Sequence, residues 1–299
     1  MSPAVHTPAG PVRYAVAAPD REGDFAQRPD LVLVHGWCCE RSSMITLKEE
    51  FGGEHRIVEV DLRGHGTSLD ASDDGSMGAG NRRMESNGPV PQALLNVRIE
   101  DYGQDLWSIC KAARLQRPIL IGHSMGALAV LATLAAHPHG PNAPSAAILL
   151  DPAPIANPRA KAFWADAHRE LLRDLSGSWR REFAQSLFLP SDRASRITLI
   201  EAMARTRSEV AAGAAKAMAD FDGASALANV DRPLLVIHAN SAEHQIRAVA
   251  REHQVSLTSG QTVGAGHFHH LEVPEQVMPM IRRWMQITLG IDGPATTPK

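Results

Sequence analysis

Short runs of aliphatic residues recur along the chain, and turn-forming residues bound each run. Their positions are hydrophobic without regular alternation, which is typical of strands buried on both faces of a parallel sheet. The runs that predict such strands are 31–34, 57–60, 119–121, 147–150 and 234–237. We also expect an edge strand near 12–16 and a weaker strand within 255–263.

Helical patterns separate the predicted strands. Between 97 and 115, apolar residues recur at spacings of three and four, which places them on one face of a helix. The stretch 124–137 is rich in Ala and Leu, and 274–289 opens with a proline that suits a first helical turn. Strands that alternate with helices predict an α/β fold, with a mostly parallel central sheet flanked by helices.

One long helical stretch, 152–229, lies between two predicted strands and carries aromatic residues such as Trp164. Because ligands of open α/β sheets bind at the carboxyl edge of the strands, we interpret this stretch as a helical lid over that edge. Ordinary helical packing is the alternative. The predicted domains are therefore a core formed by 1–151 and 230–299, and the lid. Residues 70–91 are rich in Gly, Ser and Asn and predict a long surface loop.

Composition and charge narrow the classes of function. The 299 residues are 44% hydrophobic and 21% charged, which fits a globular protein. With 30 basic and 33 acidic side chains the formal charge is −3, so we do not expect a nucleic-acid partner. The odd number of cysteines, three, argues against a disulfide framework and for a reducing compartment. The sequence has no apolar leader and no apolar run near the ~18 residues of a membrane span. We therefore expect a soluble cytoplasmic protein without a membrane partner. The sequence leaves the oligomeric state unknown.

A five-residue motif carries the strongest chemical signal. Gly122-His123-Ser124-Met125-Gly126 fits the pattern G-x-S-x-G, follows a predicted strand and opens a predicted helix. At such a turn the serine is strained and its Oγ is exposed, while the flanking positions must be small. The first N–H groups of the helix are free to face developing negative charge. The motif therefore predicts a serine nucleophile at position 124.

Four motifs together resemble the α/β-hydrolase fold family in kind and in order. The motifs are His35-Gly36-Trp37, Asp61-Leu62-Arg63-Gly64-His65-Gly66-Thr67-Ser68, the serine motif, and Gly264-Ala265-Gly266-His267-Phe268. The resemblance covers about 31–289 and is weakest in the predicted lid. It implies the family's fold and an acyl-transfer site. We interpret the second motif as structural, because Asp61 and Arg63 can tie loop backbone together.

The resemblance assigns roles to particular residues. His267 is expected to be the general base for Ser124, because a serine hydroxyl needs a base within ~3 Å. The backbone N–H groups of Trp37 and Met125 are expected to form the oxyanion hole, where one donor typically contributes ~3 kcal/mol of transition-state stabilisation. The residues expected to contact substrate are His35, Gly36, Trp164 and His123.

A metal centre is the rival interpretation of the histidines near the end of the chain. His267, His269 and His270 are close in sequence, but no set of ligands elsewhere completes them at a recognisable spacing. We therefore expect no metal. The resemblance implies no cofactor.

Two carboxylates compete for the role of the acid that orients the histidine. The family's commonest pattern has an Asp shortly after the strand predicted at 234–237, but that stretch has none and Glu243 is its nearest carboxylate. Asp151 ends the preceding strand, and some family members use an acid in a similar place. From there it can hold the tautomer of the imidazole. We favour Asp151 over Glu243; a helix cap or loop tether is the structural alternative for Asp151.

These residues predict a serine hydrolase that cleaves a small-molecule carboxylic ester through an acyl-enzyme. Aromatic residues in the predicted lid indicate a mainly apolar or aromatic substrate. The alternative on the same fold is a cofactor-independent dioxygenase or a C–C bond hydrolase, because 35–38 and Asp151 also resemble the pattern of the dioxygenases. A non-enzymatic receptor with this fold is a further alternative.

Overall fold

An eight-stranded sheet forms the centre of the protein. The structure is a computed structural model, and it describes residues 2–7, 10–19, 28–68, 89–193, 196–239 and 245–291. The strands are β1 (Ala4–Thr7), β2 (Gly10–Ala17), β3 (Leu31–Val34), β4 (Ile57–Val60), β5 (Ile119–His123), β6 (Ala146–Leu150), β7 (Leu234–His238) and β8 (Leu257–Gln261). Their order is β1-β2-β4-β3-β5-β6-β7-β8. The pairs β1/β2 and β2/β4 are antiparallel, and strands β3 to β8 are parallel. The predicted α/β fold class is therefore confirmed.

Helices flank the sheet on both faces. They are α1 (Ile45–Phe51), α2 (Gln92–Leu95), α3 (Ile99–Ala112), α4 (Met125–Ala136), α5 (Pro158–Leu171), α6 (Ser178–Ser186), α7 (Arg196–Arg205), α8 (Ser208–Asp220), α9 (Gly223–Ala228), α10 (Gln245–Glu252), α11 (His269–Glu272) and α12 (Pro274–Leu289). Helices α5 to α9 form the segment between β6 and β7, which we call the helical insertion. Its description as a lid and the division into two domains stay predictions. None of the described helices has the length and apolar composition needed to cross a membrane.

Burial on both faces explains why the central strands read as uninterrupted aliphatic runs. In β3, Leu31 and Leu33 point to one face and pack in a cluster with side chains of α1 and α12. Val32 and Val34 point to the other face and pack with side chains of α3 and α4. Successive side chains of a strand alternate between faces, so a strand covered by helices on both sides needs apolar residues throughout. Full burial of each such side chain contributes about 1.5–3 kcal/mol relative to exposure.

The edge of the sheet differs from the expectation. The strand predicted near 12–16 is β2, and it pairs with β1 on one side and with β4 on the other. The edge strand is β1, a four-residue segment whose half-buried Ala-Val-His-Thr sequence has no aliphatic run to signal it. At the opposite edge, β8 lies within the predicted 255–263. The loop predicted at 70–91 falls almost wholly outside the described residues.

The segment after β4 is held in place by buried polar contacts. The Arg63 guanidinium donates to both carboxylate oxygens of Asp105 on α3, with N–O distances of 2.6 Å. Asp61 accepts hydrogen bonds from the Thr67 side chain and from the Arg41 amide. Because these contacts serve loop backbone and a neighbouring helix, they support the structural interpretation of this motif.

Candidate active site

Ser124 lies at the sharp turn between β5 and α4. Its backbone has φ 53° and ψ −119°, a conformation that costs a non-glycine residue of order 1–3 kcal/mol. The turn is held because the Ser124 amide donates to the Leu150 carbonyl of β6 at 3.0 Å, and the Ser124 carbonyl accepts from the Ala127 amide. This conformation presents the side chain at the carboxyl edge of the sheet, at the start of a helix.

The positions two residues before and two residues after Ser124 must be glycine, because other backbone atoms lie very close to them. A Cβ at Gly122 would lie 2.6 Å from the Gly126 carbonyl oxygen, and one at Gly126 would lie 2.4 Å from the His35 carbonyl oxygen. At Gly36, a Cβ would lie 3.0 Å from the Cβ of Ser124. The three glycines therefore let the turn and the loop after β3 pack against each other.

Asp151 and His267 form a direct hydrogen bond. The His267 Nδ1 lies 2.6 Å from Oδ2 of Asp151, and the other oxygen of Asp151 accepts from the Ala239 amide at 2.9 Å. Burial raises the pKa of Asp151, but the hydrogen bond and charge of His267 and the Ala239 amide outweigh it and leave the pKa below its ordinary value of 3.8. Asp151 is therefore a carboxylate that accepts from Nδ1–H, which leaves Nε2 of His267 as the basic nitrogen.

His267 and Ser124 line the same cavity, together with Asp151. Within the described part of the chain, no hydrogen bond joins the serine hydroxyl to the imidazole. Catalytic hydrogen bonds are often long without substrate and tighten when substrate binds, so this geometry is compatible with a base and nucleophile pair. Glu243, the competing acid, lies outside the described residues.

Two backbone amides next to Ser124 are suited to hold an oxyanion. Met125 is the first residue of α4, and Trp37 follows Gly36 on the loop after β3. Across the described ranges, neither of these two N–H groups donates a backbone hydrogen bond. Because N–H groups at a helix start lack helical partners, the Met125 amide is available to an anion. Their role as an oxyanion hole stays a prediction.

The cavity over Ser124 has a volume of about 340 Å³, and its walls are mainly apolar. Its lining residues are Gly36, Trp37, Cys39, His123, Ser124, Asp151, Pro152, Ala153, Pro154, Ala160, Phe163, Trp164, Phe183, Leu187, Met203, His267 and Phe268. The predicted contact residues Gly36, Trp164 and His123 are among them. Sequence reasoning missed Phe163 and Phe183, since an aromatic residue on an amphipathic helix gives no sign of which cavity it faces.

Trp37 joins the loop after β3 to the helical insertion. Its indole N–H donates to the Ala211 carbonyl of α8 at 3.0 Å. Its ring packs against Trp164 at 5.5 Å and against Phe183 at 5.4 Å between centroids. Aromatic pairs at such distances are each worth about 0.5–1.5 kcal/mol beyond the area they bury. The insertion therefore fixes the residue whose amide is a candidate oxyanion donor.

His35 is a predicted substrate contact, and that role stays a prediction. His35 is fully buried and does not lie on the cavity wall. Its Nε2 accepts from the Leu62 amide at 3.0 Å, so its Nδ1 carries the proton and donates to the Gly36 carbonyl at 2.8 Å. Burial lowers its pKa, which keeps the ring neutral. His35 therefore links two loops through their backbone.

His123 lines the cavity but also supports the histidine loop. It is buried, and its Nε2 lies 3.0 Å from the His267 carbonyl oxygen, to which it donates. Burial, with the neighbouring His267 and His270, lowers the pKa of His123 well below its ordinary value. A neutral His123 can therefore anchor the backbone of His267 without adding charge to the site.

Other nucleophiles and ligands near the cavity have different roles. Burial raises the pKa of the Cys39 thiol to about 12, so the thiol stays protonated and is a poor nucleophile. The rings of His269 and His270 are directed to Thr262 and to the Ser43 carbonyl. Among the described residues, no group of three or more His, Cys, Asp or Glu side chains is arranged to hold a metal ion.

The parallel sheet, the strained serine turn and the Asp–His pair at the carboxyl edge define the class of α/β hydrolases. A profile of the alpha/beta hydrolase family matches residues 31–279. The chain therefore belongs to the alpha/beta hydrolase family. A search of curated protein sequences found no match.

Solved structures with this fold carry several activities. A thermophilic esterase from Thermogutta terrifontis has a TM-score of 0.71 at 21% identity, covering 96% of this chain and 98% of its own. The enol-lactonase from Burkholderia xenovorans has a TM-score of 0.69 at 17% identity, covering 95% and 100%. A bromoperoxidase from Bacillus anthracis has a TM-score of 0.72 at 15% identity, covering 96% and 100%. At these identities the likeness establishes the fold.

We predict that Asp151→Asn lowers kcat for ester hydrolysis by about 10⁴-fold, because the amide favours the wrong tautomer of His267. Steady-state kinetics on a p-nitrophenyl ester measure the effect. Glu243→Gln is the matched control, and its kcat should stay within a few-fold of wild type. A large loss in Glu243→Gln together with normal turnover in Asp151→Asn would reverse the assignment of the acid.

Proposed function

We propose that this protein is a serine carboxylic ester hydrolase that acts through an acyl-enzyme at Ser124. The observation that carries the proposal is the 2.6 Å hydrogen bond between Asp151 and His267, in a cavity that also contains the strained Ser124. A serine, an imidazole with a free Nε2 and a partly buried carboxylate are the groups that this form of acyl transfer uses. Esterases are among the solved structures with this fold, which agrees with the proposal.

The proposed reaction has two halves. In the first, the Ser124 oxygen bonds to the ester carbonyl carbon while Nε2 of His267 takes the hydroxyl proton, and the carbonyl oxygen becomes an oxyanion. The N–H groups of Trp37 and Met125 hold that charge, and His267 returns the proton to the leaving alcohol. In the second half, His267 takes a proton from water, the hydroxide attacks the acyl carbon, and the serine leaves with the proton. Asp151 stabilises the imidazolium in both halves.

The walls of the cavity favour a neutral substrate with an aromatic or compact apolar group. The apolar side chains of Trp164, Phe163 and Phe183 face the space beside Ser124. No Lys or Arg occurs among the described residues that line it. Two arginines of the insertion pair with carboxylates instead, Arg180 with Asp174 and Arg181 with Glu201. A volume of about 340 Å³ is at the small end of ligand sites, which suits a small ester.

The alternative on the same fold is a cofactor-independent dioxygenase or a C–C bond hydrolase. The bromoperoxidase of the same fold agrees with this alternative as well as with an esterase. A dioxygenase needs the His267 and Asp151 pair to deprotonate its substrate, but it does not need the hydroxyl of Ser124. The requirement for the Ser124 hydroxyl therefore separates the esterase from the dioxygenase.

We predict that Ser124→Ala lowers kcat for ester hydrolysis by on the order of 10⁶-fold, because Ser124 has the only side-chain hydroxyl among the described residues that line the cavity. Spectrophotometric ester assays and an oxygen electrode are run on the same preparations. Ser108→Ala is the matched control, since Ser108 is half-buried on α3, donates to the Gln104 carbonyl and does not line the cavity. Turnover that survives in Ser124→Ala and consumes oxygen would contradict the esterase proposal and favour the dioxygenase.

We predict that Trp164 contributes to selection of aromatic groups. Trp164→Ala should lower the kcat/KM ratio of a phenyl ester over its cyclohexyl counterpart by about 3- to 10-fold, since an aromatic pair is worth about 0.5–1.5 kcal/mol beyond its area. Both esters are measured with both enzymes, so their intrinsic reactivities cancel. Trp107→Ala is the control, because Trp107 stacks on His137 away from the cavity. An unchanged ratio in Trp164→Ala would exclude this role.

A further inference from the structure

The histidine loop is the segment 262–268 between β8 and α11, and it carries His267. A short segment of the helical insertion, residues 187–193, binds this loop, and we call that segment the clasp. The clasp follows α6, and its Leu187 carbonyl accepts from the His267 amide at 2.9 Å. The Ser191 hydroxyl donates to the Gly264 carbonyl at 3.3 Å. The clasp therefore contacts the backbone of the histidine loop on both sides of Gly266.

Asp192 makes a charged contact between the clasp and the histidine loop. Its side chain is buried, with the residue 4% exposed, and its Oδ2 accepts from the Leu189 amide at 2.8 Å and from the Gly266 amide at 3.0 Å. A carboxylate that accepts from backbone amides makes stronger hydrogen bonds than a neutral acceptor. One side chain thus closes the turn of the clasp and holds the residue directly before His267.

The packing at Gly266 shows how closely the two segments meet. A Cβ at this position would lie 2.5 Å from the Leu187 carbonyl oxygen and 2.7 Å from Oδ2 of Asp192. Beside it, the ring of Phe188 stacks on Phe268 with centroids 5.1 Å apart and planes inclined by 17°. Hydrogen bonds and ring stacking therefore fix the loop immediately before and after the histidine.

We propose that Asp192 is a positioning residue for His267: it holds the Gly266 amide and thereby fixes the imidazole between Asp151 and Ser124. The proposal rests on the proposed function of His267 as general base. Asp192 acts through the backbone and touches neither the substrate nor the reacting atoms. Displacement of a catalytic group by about 1 Å can cost 10²-fold in rate, so such a tether matters for turnover.

The test compares Asp192→Ala, Asp192→Asn and a control in the full-length protein. Asp222→Ala is the control, because the Asp222 side chain also accepts from a backbone amide, that of Ser225 in α9, but among the described residues it makes no hydrogen bond to the histidine loop. Kinetics on p-nitrophenyl acetate give kcat and KM, and hydrogen–deuterium exchange follows the peptide that contains Gly266 and His267. Thermal unfolding measures the stability of each variant.

We expect Asp192→Ala to lower kcat by about 10- to 100-fold with little change in KM, and to speed exchange of the Gly266 amide. Asp192→Asn keeps an oxygen that accepts from that amide, so it should recover kcat to within a few-fold of wild type. Asp222→Ala should change neither kcat nor the exchange of this peptide. If Asp192 served only to stabilise the fold, its loss would not lower kcat while leaving KM nearly unchanged. The rate of exchange at the Gly266 amide would then not follow kcat across the variants.

Two results would overturn the proposal. One is a kcat for Asp192→Ala that equals that of Asp222→Ala at comparable thermal stability; the other is unchanged exchange at Gly266. If Asp192→Ala fails to fold, Gly266→Ala replaces it, because its methyl group should push the loop off the clasp and lower kcat by a similar factor. A wild-type protein without ester turnover would instead overturn the proposed function, and the positioning role with it.

Discussion

The close packing of backbone around Ser124 is the constraint on which the rest of the site depends. The serine holds a backbone conformation that its side chain disfavours, and hydrogen bonds to β6 and within α4 keep it there. Glycines at 36, 122 and 126 let three backbone segments meet at this turn. Once the turn is fixed, the cavity, the amides beside it and the facing histidine have defined positions.

The histidine loop is far from Ser124 in sequence but lies against the same cavity. Groups from several elements hold it there. Asp151 at the end of β6 binds the imidazole, while His123 at the end of β5 binds the His267 carbonyl. The insertion adds the carboxylate of Asp192 and the Leu187 carbonyl. The insertion lines part of the cavity, and it also contacts two loops that carry candidate catalytic groups.

The sequence predicts the parts of the structure that repeat a simple physical rule. Strands buried on both faces must be aliphatic, so β3 to β7 are visible in the sequence, and the strained serine turn needs flanking glycines. Strand β1 is not visible, because an edge strand of four half-buried residues has no such pattern. The sequence shows His35 only as part of the motif with Gly36 and Trp37, and it gives no sign that the ring is buried. Asp192 gave no signal, since a carboxylate in a turn is usually exposed.

Covalent labelling with a serine-directed reagent shows whether Ser124 is a nucleophile that His267 activates. The protein is treated with a p-nitrophenyl phosphonate ester, its intact mass is recorded, and the modified residue is mapped by peptide sequencing. We predict one adduct per chain, on Ser124, formed in step with loss of esterase activity and much more slowly in His267→Ala. An adduct on another residue, or continued hydrolysis by fully labelled protein, would contradict it.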